Sequence, residues 1–219
     1  MAQWKIAPDP EWTGRDVFII GGGSSLKTFD FNLLRNELTI GCNNAFELGK
    51  DICKICFFGD DGWFFTFGDR LKEYVASGGS AFTSRRLGMN YPWLRFVPRV
   101  HIGVSREALG WNHNSGSSAI NLALILGAKR VFLLGFDMKL SPSGDANWHI
   151  NTVSKPNPEN YKTYRRKFVR IAKSIREVFP DREVINVSDS TSLAVFPIVG
   201  MKEFWNERAN NGMGTSTLG

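Results

Sequence analysis

The residues with the clearest chemical potential stand where apolar runs stop. "VFIIGGGSSLKTF", Val17 to Phe29, ends a β-branched and aromatic run at Gly21, Gly22 and Gly23, followed by Ser24 and Ser25. Glycines let backbone N–H groups come close to an anion. "ELTIGCNN" brings Asn43 and Asn44 to a second such end, where carboxamides can hold ribose hydroxyls or base edges. "KICFFGDD" brings Asp60 and Asp61 to a third. That acidic pair would either hold magnesium on a phosphate or supply the N-cap of the next helix. "NSGSSAINLALIL" opens on Ser115, Gly116 and Ser117, with Asn114 or Ser115 as cap. A helix start of this kind offers free N–H donors and partial positive charge to an anion. "RVFLLGFD" ends on Gly135 and Asp137. A carboxylate there is costly without a partner, and a ribose, a metal or a local backbone amide would serve. The whole set suits a nucleotide.

Proton transfer needs a different group. The chain has three histidines. His149 lies in a polar loop beside Trp148, and an imidazole is the side chain best suited to general base work on a hydroxyl. His113, just before the Ser115 helix start, is its rival, and His101 lies in an apolar run that implies a structural role. Tyr161, Arg165 and Arg166 either approach a phosphate or form the solvated face of an amphipathic basic helix. Cys53 and Cys56 form a lone C-x-x-C with no second pair to complete a zinc site, so all three cysteines read as reduced, buried thiols and no metal site is assigned. Neither common nucleotide motif is present: G-x-x-x-x-G-K-[ST] is absent, and "GGGSSL" lacks the third glycine of G-x-G-x-x-G.

These residues need strands and helices to hold them. "DVFIIG", "ELTIGCN" and "KICFFGD" read as the first three strands, continuous and apolar, as in a parallel sheet covered on both faces. "SLKTFDFNLL" reads as a short helical piece, "DRLKEYVASGG" as a helix ending in glycines, and "SAFTS" as a further strand. Residues 85–114 are irregular, a binding loop or a surface loop. Then come a buried helix, the strand "RVFLLGFD", a polar loop, a basic helix from about Tyr161 to Phe179 and the strand "REVINVS". Alternating strands and helices predict an α/β fold: a single Rossmann-like domain over residues 1–205, mostly parallel, with helices on both faces. Residues 206–219 read as a disordered tail. The formal charge of +6 suits a polyanion or nucleotide ligand without requiring one. No run reaches the length of a membrane span and the first residues show no secretory pattern, so a soluble, cytoplasmic protein is expected.

The order of these motifs resembles a known group. "IIGGGSSLKTFDFNLL", "TIGCNNAFE", "KICFFGDDGWFF", "NSGSSAINLALILGAKRVFLLGFDM" and "VINVSDSTSLAVFPIV" are similar, in order over about residues 16–200, to motifs of the bacterial CMP-sialic-acid-dependent sialyltransferases of the Campylobacter type. The resemblance implies a glycosyltransferase that moves a sugar from a CMP- or UDP-linked donor to a hydroxyl acceptor without a metal. It would set the Gly-rich turn and Asn43 by the nucleotide. Ser115 and Gly116 would hold the donor, with Tyr161 and Tyr164 supporting its phosphate; the strand-end reading adds Asn44, Asp60 and Ser117 to the nucleotide-binding set. Asp137 would line the catalytic site and His149 would be the general base. Position 41 is Gly, where that family has Arg. The 6-hydroxymethylpterin pyrophosphokinase-like proteins share the frame and imply, as an alternative, ATP and magnesium. The wider group also resembles proteins encoded in bacteriophage genomes. That implies a host-cytoplasmic location and leaves two further readings: a nucleotide- or DNA-binding protein, and a transferase that modifies DNA bases.

Overall fold

The computed structural model describes residues 6–150 and 157–211. The segments 1–5, 151–156 and 212–219 lie outside it, and with them part of the polar loop after His149 and most of the expected tail. Among the described residues, ten strands and four α-helices follow in chain order. They are β1 (Asp16–Ile20), β2 (Leu38–Cys42), β3 (Ile55–Phe58), α1 (Asp61–Ala76), β4 (Ser80–Thr83), β5 (Arg95–Phe96), β6 (Arg99–Val100) and β7 (Leu109–Gly110). Then come α2 (Ser115–Leu126), β8 (Arg130–Leu134), α3 (Pro158–Val178), β9 (Glu183–Val187), β10 (Ile198–Val199) and α4 (Met201–Asn210).

Eight strands form one sheet in the order β10-β9-β8-β1-β2-β3-β4-β5. Every pairing in it is parallel. The fold is α/β and Rossmann-like. The chain lays β1 to β5 outward in one direction, then returns to place β8 on the other flank of β1. The strand order therefore reverses between β1 and β8, which in such sheets is where ligands bind.

Side-chain alternation explains the two layers. Val17 and Ile19 of β1 face one side with the apolar residues of α2 and with Phe168, Ile171 and Ile175 of α3. Phe18 and Ile20 face the other side with Leu26, Leu34 and Phe204. On β3, Cys56 and Phe58 face α1 through Trp63, Phe64, Phe67 and Leu71. Successive strand residues point to opposite faces, so an uninterrupted apolar strand is what a doubly covered sheet requires.

Three features differ from the expectations. The short helical piece after β1 is two 3-10 turns, Ser24–Thr28 and Phe31–Leu34, each too brief for an α-helix. Part of the tail expected from 206 is helical instead. Residues 206–210 complete α4, because Arg208 is buried and pairs with Asp16 at 2.8 Å and Glu37 at 2.5 Å. The irregular segment 85–114 holds β5 and the parallel pair β6–β7, pinned by buried Asn112 and Asn121. Among the described residues, no helix is long and apolar enough to cross a membrane.

Candidate functional site

A cleft of about 560 Å³ opens at the carboxyl ends of β1, β2, β3 and β8. Its size falls in the range that holds small-molecule ligands. Gly21, Gly22, Gly23, Asn43, Asp60, Ser115, Gly116, Asp137 and Tyr161 all line it. Ser24, Ser25, Asn44, Ser117 and His149 are not among the described residues that do.

The Gly-rich turn is held by β8 as much as it faces the cleft. Gly21 N–H donates to the Leu134 carbonyl and Gly23 N–H to the Gly135 carbonyl, each at 2.8 Å. A Cβ on Gly23 would stand 2.5 Å from Asp137 Cγ and 2.6 Å from the Gly135 oxygen. Close backbone approach is thus one reason for glycine here. The amide of Gly22 has no partner among the described residues and is the turn's available donor.

Asp137 is buried, and its partner is the local backbone amide that the sequence left as one of three options. Its Oδ2 accepts from Ser25 N–H at 2.8 Å and its Oδ1 from Ser25 Oγ at 2.6 Å. Ser24 Oγ donates to Oδ2 at 3.4 Å. Ser24 and Ser25 therefore fasten the turn to β8 and do not line the cleft. Asp137 still contributes to the cleft wall.

Asn43 follows β2 in the left-handed region, with φ 52°. Its Oδ1 is buried on the cleft side without a hydrogen-bond partner, so a ligand donor would relieve it. Asn44 points away, accepting from Trp63 Nε1 at 2.8 Å and donating to Glu47. Asp60 is the N-cap of α1, its Oδ1 accepting from Trp63 N–H at 2.8 Å. Asp61 is paired with Arg85, whose guanidinium holds its carboxyl below the ordinary range.

Asn114 caps α2, accepting from Ser117 N–H at 3.0 Å. That bond and the hydroxyl bond from Ser117 to the Asn114 carbonyl turn Ser117 inward, where it is fully buried. The first two amides of α2, Ser115 and Gly116, have no partner among the described residues, and both residues line the cleft. A Cβ on Gly116 would meet the Phe136 ring at 2.7 Å, which sets how closely α2 approaches β8. Across the cleft stand Tyr161 and Tyr164 of α3. Burial raises both phenol pKa values, that of Tyr161 further through the Asp137 carboxylate, so both hydroxyls stay neutral donors. Arg165 is turned to the Met138 carbonyl at 2.7 Å, and Arg166 is exposed.

The histidines divide. His149 packs edge-on to Trp148, whose indole N–H donates to the Gly21 carbonyl at 2.9 Å. His113 lines the cleft. Loss of water, then the positive charges of Lys167, His101 and Arg99, hold its pKa below the ordinary value. His101 is exposed rather than structural, its ring 5.4 Å from that of His113. Residues missed by sequence reasoning also line the cleft, among them Trp111, Lys139, Asn147, Asn157 and Asn160. Asn147 reaches it because its loop folds back to bridge Gly23, a long-range contact with no local signal.

The three cysteines are free and buried. Burial pushes the thiols of Cys42 and Cys53 up to about 12, and Cys56 is raised well above the ordinary value. Among the described residues no group of three or more His, Cys, Asp or Glu side chains converges on a point.

No protein-family model matches this chain, and no curated protein matches it. A solved structure does share the fold: the MAf glycosyltransferase from Magnetospirillum magneticum AMB-1, with a TM-score of 0.61 at 14% sequence identity. The match covers 92% of this chain and 36% of that one, so the chain spans about a third of the glycosyltransferase's length.

Proposed function

We propose that the chain is a nucleotide-dependent transferase of glycosyltransferase type. The observation that carries this is the cleft at the β1/β8 reversal, where free amides, neutral phenols and an unsatisfied carboxamide converge. The α2 amides of Ser115 and Gly116, with the hydroxyls of Tyr161 and Tyr164, suit a donor phosphate. Asn43 suits a ribose hydroxyl or a base edge. Gly22 offers its amide to the same ligand, and Asp137 positions the turn through Ser25. The shared fold with a glycosyltransferase supports a nucleotide-sugar as donor.

In the finer, sialyltransferase-like form of this reading the donor is CMP-linked and a histidine takes the proton from the acceptor hydroxyl. Chain order assigns that role to His149, and the cleft wall offers His113. The alternative, transfer from ATP with magnesium, needs carboxylates at Asp60, Asp61 or Asp137. Each of these already has a protein partner, which favours the sugar donor.

A thermal-shift series with CMP, CDP, UMP, UDP, GDP and ATP, with magnesium and with EDTA, tests the proposal. A ligand that binds only the native state raises the melting temperature. A shift with a pyrimidine nucleotide that persists in EDTA is expected. No shift with any nucleotide would refute it, and a shift confined to ATP with magnesium would replace it with the alternative.

A further inference from the structure

The cleft has a second chemical character at one rim. Arg99 of β6 lies with its guanidinium 5.3 Å from the centre of the Trp111 ring. His113 lies 5.8 Å from the same ring, and His101 lies 5.4 Å from His113. Lys167 of α3 is close enough to act on His113 electrostatically. Arg99 and Lys167 have no ion-pair partner among the described residues. Asp61, paired with Arg85, also lies close enough to Arg99 to act on it electrostatically, while Asp60 caps α1 and Asp137 accepts from Ser25. Two cationic side chains without an ion-pair partner, together with imidazole N–H donors, offer an anion both charge and hydrogen bonds, and Trp111 and His113 set that group at the cleft wall.

The segment carrying this rim is built rigidly. Asn112 and Gly103 exchange two hydrogen bonds, both of 2.9 Å. Asn121 holds Ser105 and Gly110, and Ser174 Oγ accepts from Val104 N–H at 3.0 Å, tying the segment to α3. Asn112 and His113 are consecutive non-glycine residues in the left-handed region, at φ 47° and 53°. Such strain persists only where surrounding structure enforces it, and it gathers at ligand sites. Trp111 itself packs on Gly59, where a Cβ would be 2.1 Å from its ring. The donor groups, by contrast, stand on the α2 start, on α3 at Tyr161 and Tyr164, and at the Gly-rich turn.

We propose that Arg99, His101, His113 and Lys167 form a subsite for the negatively charged group of the second substrate, so that the acceptor is a hydroxyl compound bearing a phosphate or carboxylate. This rests on the transferase reading for the word acceptor, but the anion site itself does not. The test titrates the protein with glucose 6-phosphate, glucuronate, glucose and inorganic phosphate, with and without saturating CMP or UDP, for wild type and Arg99→Glu/Lys167→Glu. The two charged sugars are expected to bind wild type about tenfold more tightly than glucose and more tightly than phosphate alone. The double variant should lose that preference while keeping the nucleotide-induced thermal shift. If the double variant does not fold, Lys167→Gln carries the same readout.

Equal binding of charged and neutral sugars would overturn the subsite, as would an unchanged preference in the variant. Inorganic phosphate binding as tightly as the sugars would reduce it to a simple anion site and overturn the acceptor claim. Loss of the nucleotide shift in the variant would assign the rim to the donor. A charged-sugar preference that depends on Arg99 and Lys167, with no nucleotide shift in wild type, would defeat the transferase reading and leave the anion site standing.

Discussion

Asp137 shows how much one side chain can organise. Its two oxygens hold the Ser25 amide and hydroxyl, and so fix the direction in which Gly22 presents its N–H group. Asp137→Asn keeps the shape and removes one acceptor and the charge. It is expected to cost about 1–3 kcal/mol, read by urea denaturation, and to reduce the nucleotide-induced thermal shift. Gly23→Ala should cost more, because the added methyl meets backbone at the Gly135 oxygen and cannot be relieved by a rotamer change. The cysteines give a complementary residue-scale prediction. With all three thiols buried and their pKa values raised, a disulfide-exchange reagent should find no fast-reacting thiol in native protein and three after denaturation. A fast native thiol would contradict the packing around β2 and β3.

Helix ends decide what the next larger scale can do. The N-terminus of α1 is closed by Asp60 and by the Asp61–Arg85 pair, whereas that of α2 is left with two amides free. Because pairing lowers the Asp61 pKa in the folded state, its contribution to stability is present above the ordinary value of 3.8 and is lost as pH falls through the lowered folded value. The stability difference between wild type and Asp61→Asn should therefore be constant near neutral pH and vanish in acid; partial exposure keeps it small. At the other end of the strands, α4 is fastened by Arg208, buried among Phe18, Phe132 and Phe204 and paired with Asp16 and Glu37. Arg208→Ala leaves two acids without their cation, although Arg130 still pairs with Asp16, and is expected to cost about 3–5 kcal/mol in urea denaturation. A change near zero would show that α4 is held by its apolar contacts alone.

At the scale of the whole molecule, the sheet sets a gradient of rigidity. Amides of β8, β1, β2 and β3 sit between paired neighbours, while β5 and β10 are two-residue edge strands. Hydrogen exchange should be slowest in the former and fast in the latter, and bound nucleotide should add protection at 21–24, 111–117 and 157–164. Uniform exchange across the sheet would contradict this layering. The strands, the buried helix and the parallel class were legible in the sequence, since a strand covered on both faces must be apolar throughout and a helix buried on all sides must be too. So were the polar residues at the strand ends, because breaks in apolar runs mark where strands stop. What each of those residues does was decided only by the tertiary structure. Ser24, Ser25 and Asn44 have the same chemistry as Asn43 and Ser115, yet their bonds go inward to Asp137, Trp63 and Glu47. The cationic rim joins β6, the segment after it and α3, residues 99 to 167, and no local pattern encodes that meeting. Local physics chooses the element; only long-range packing chooses which hydrogen-bonding groups are left over for a ligand.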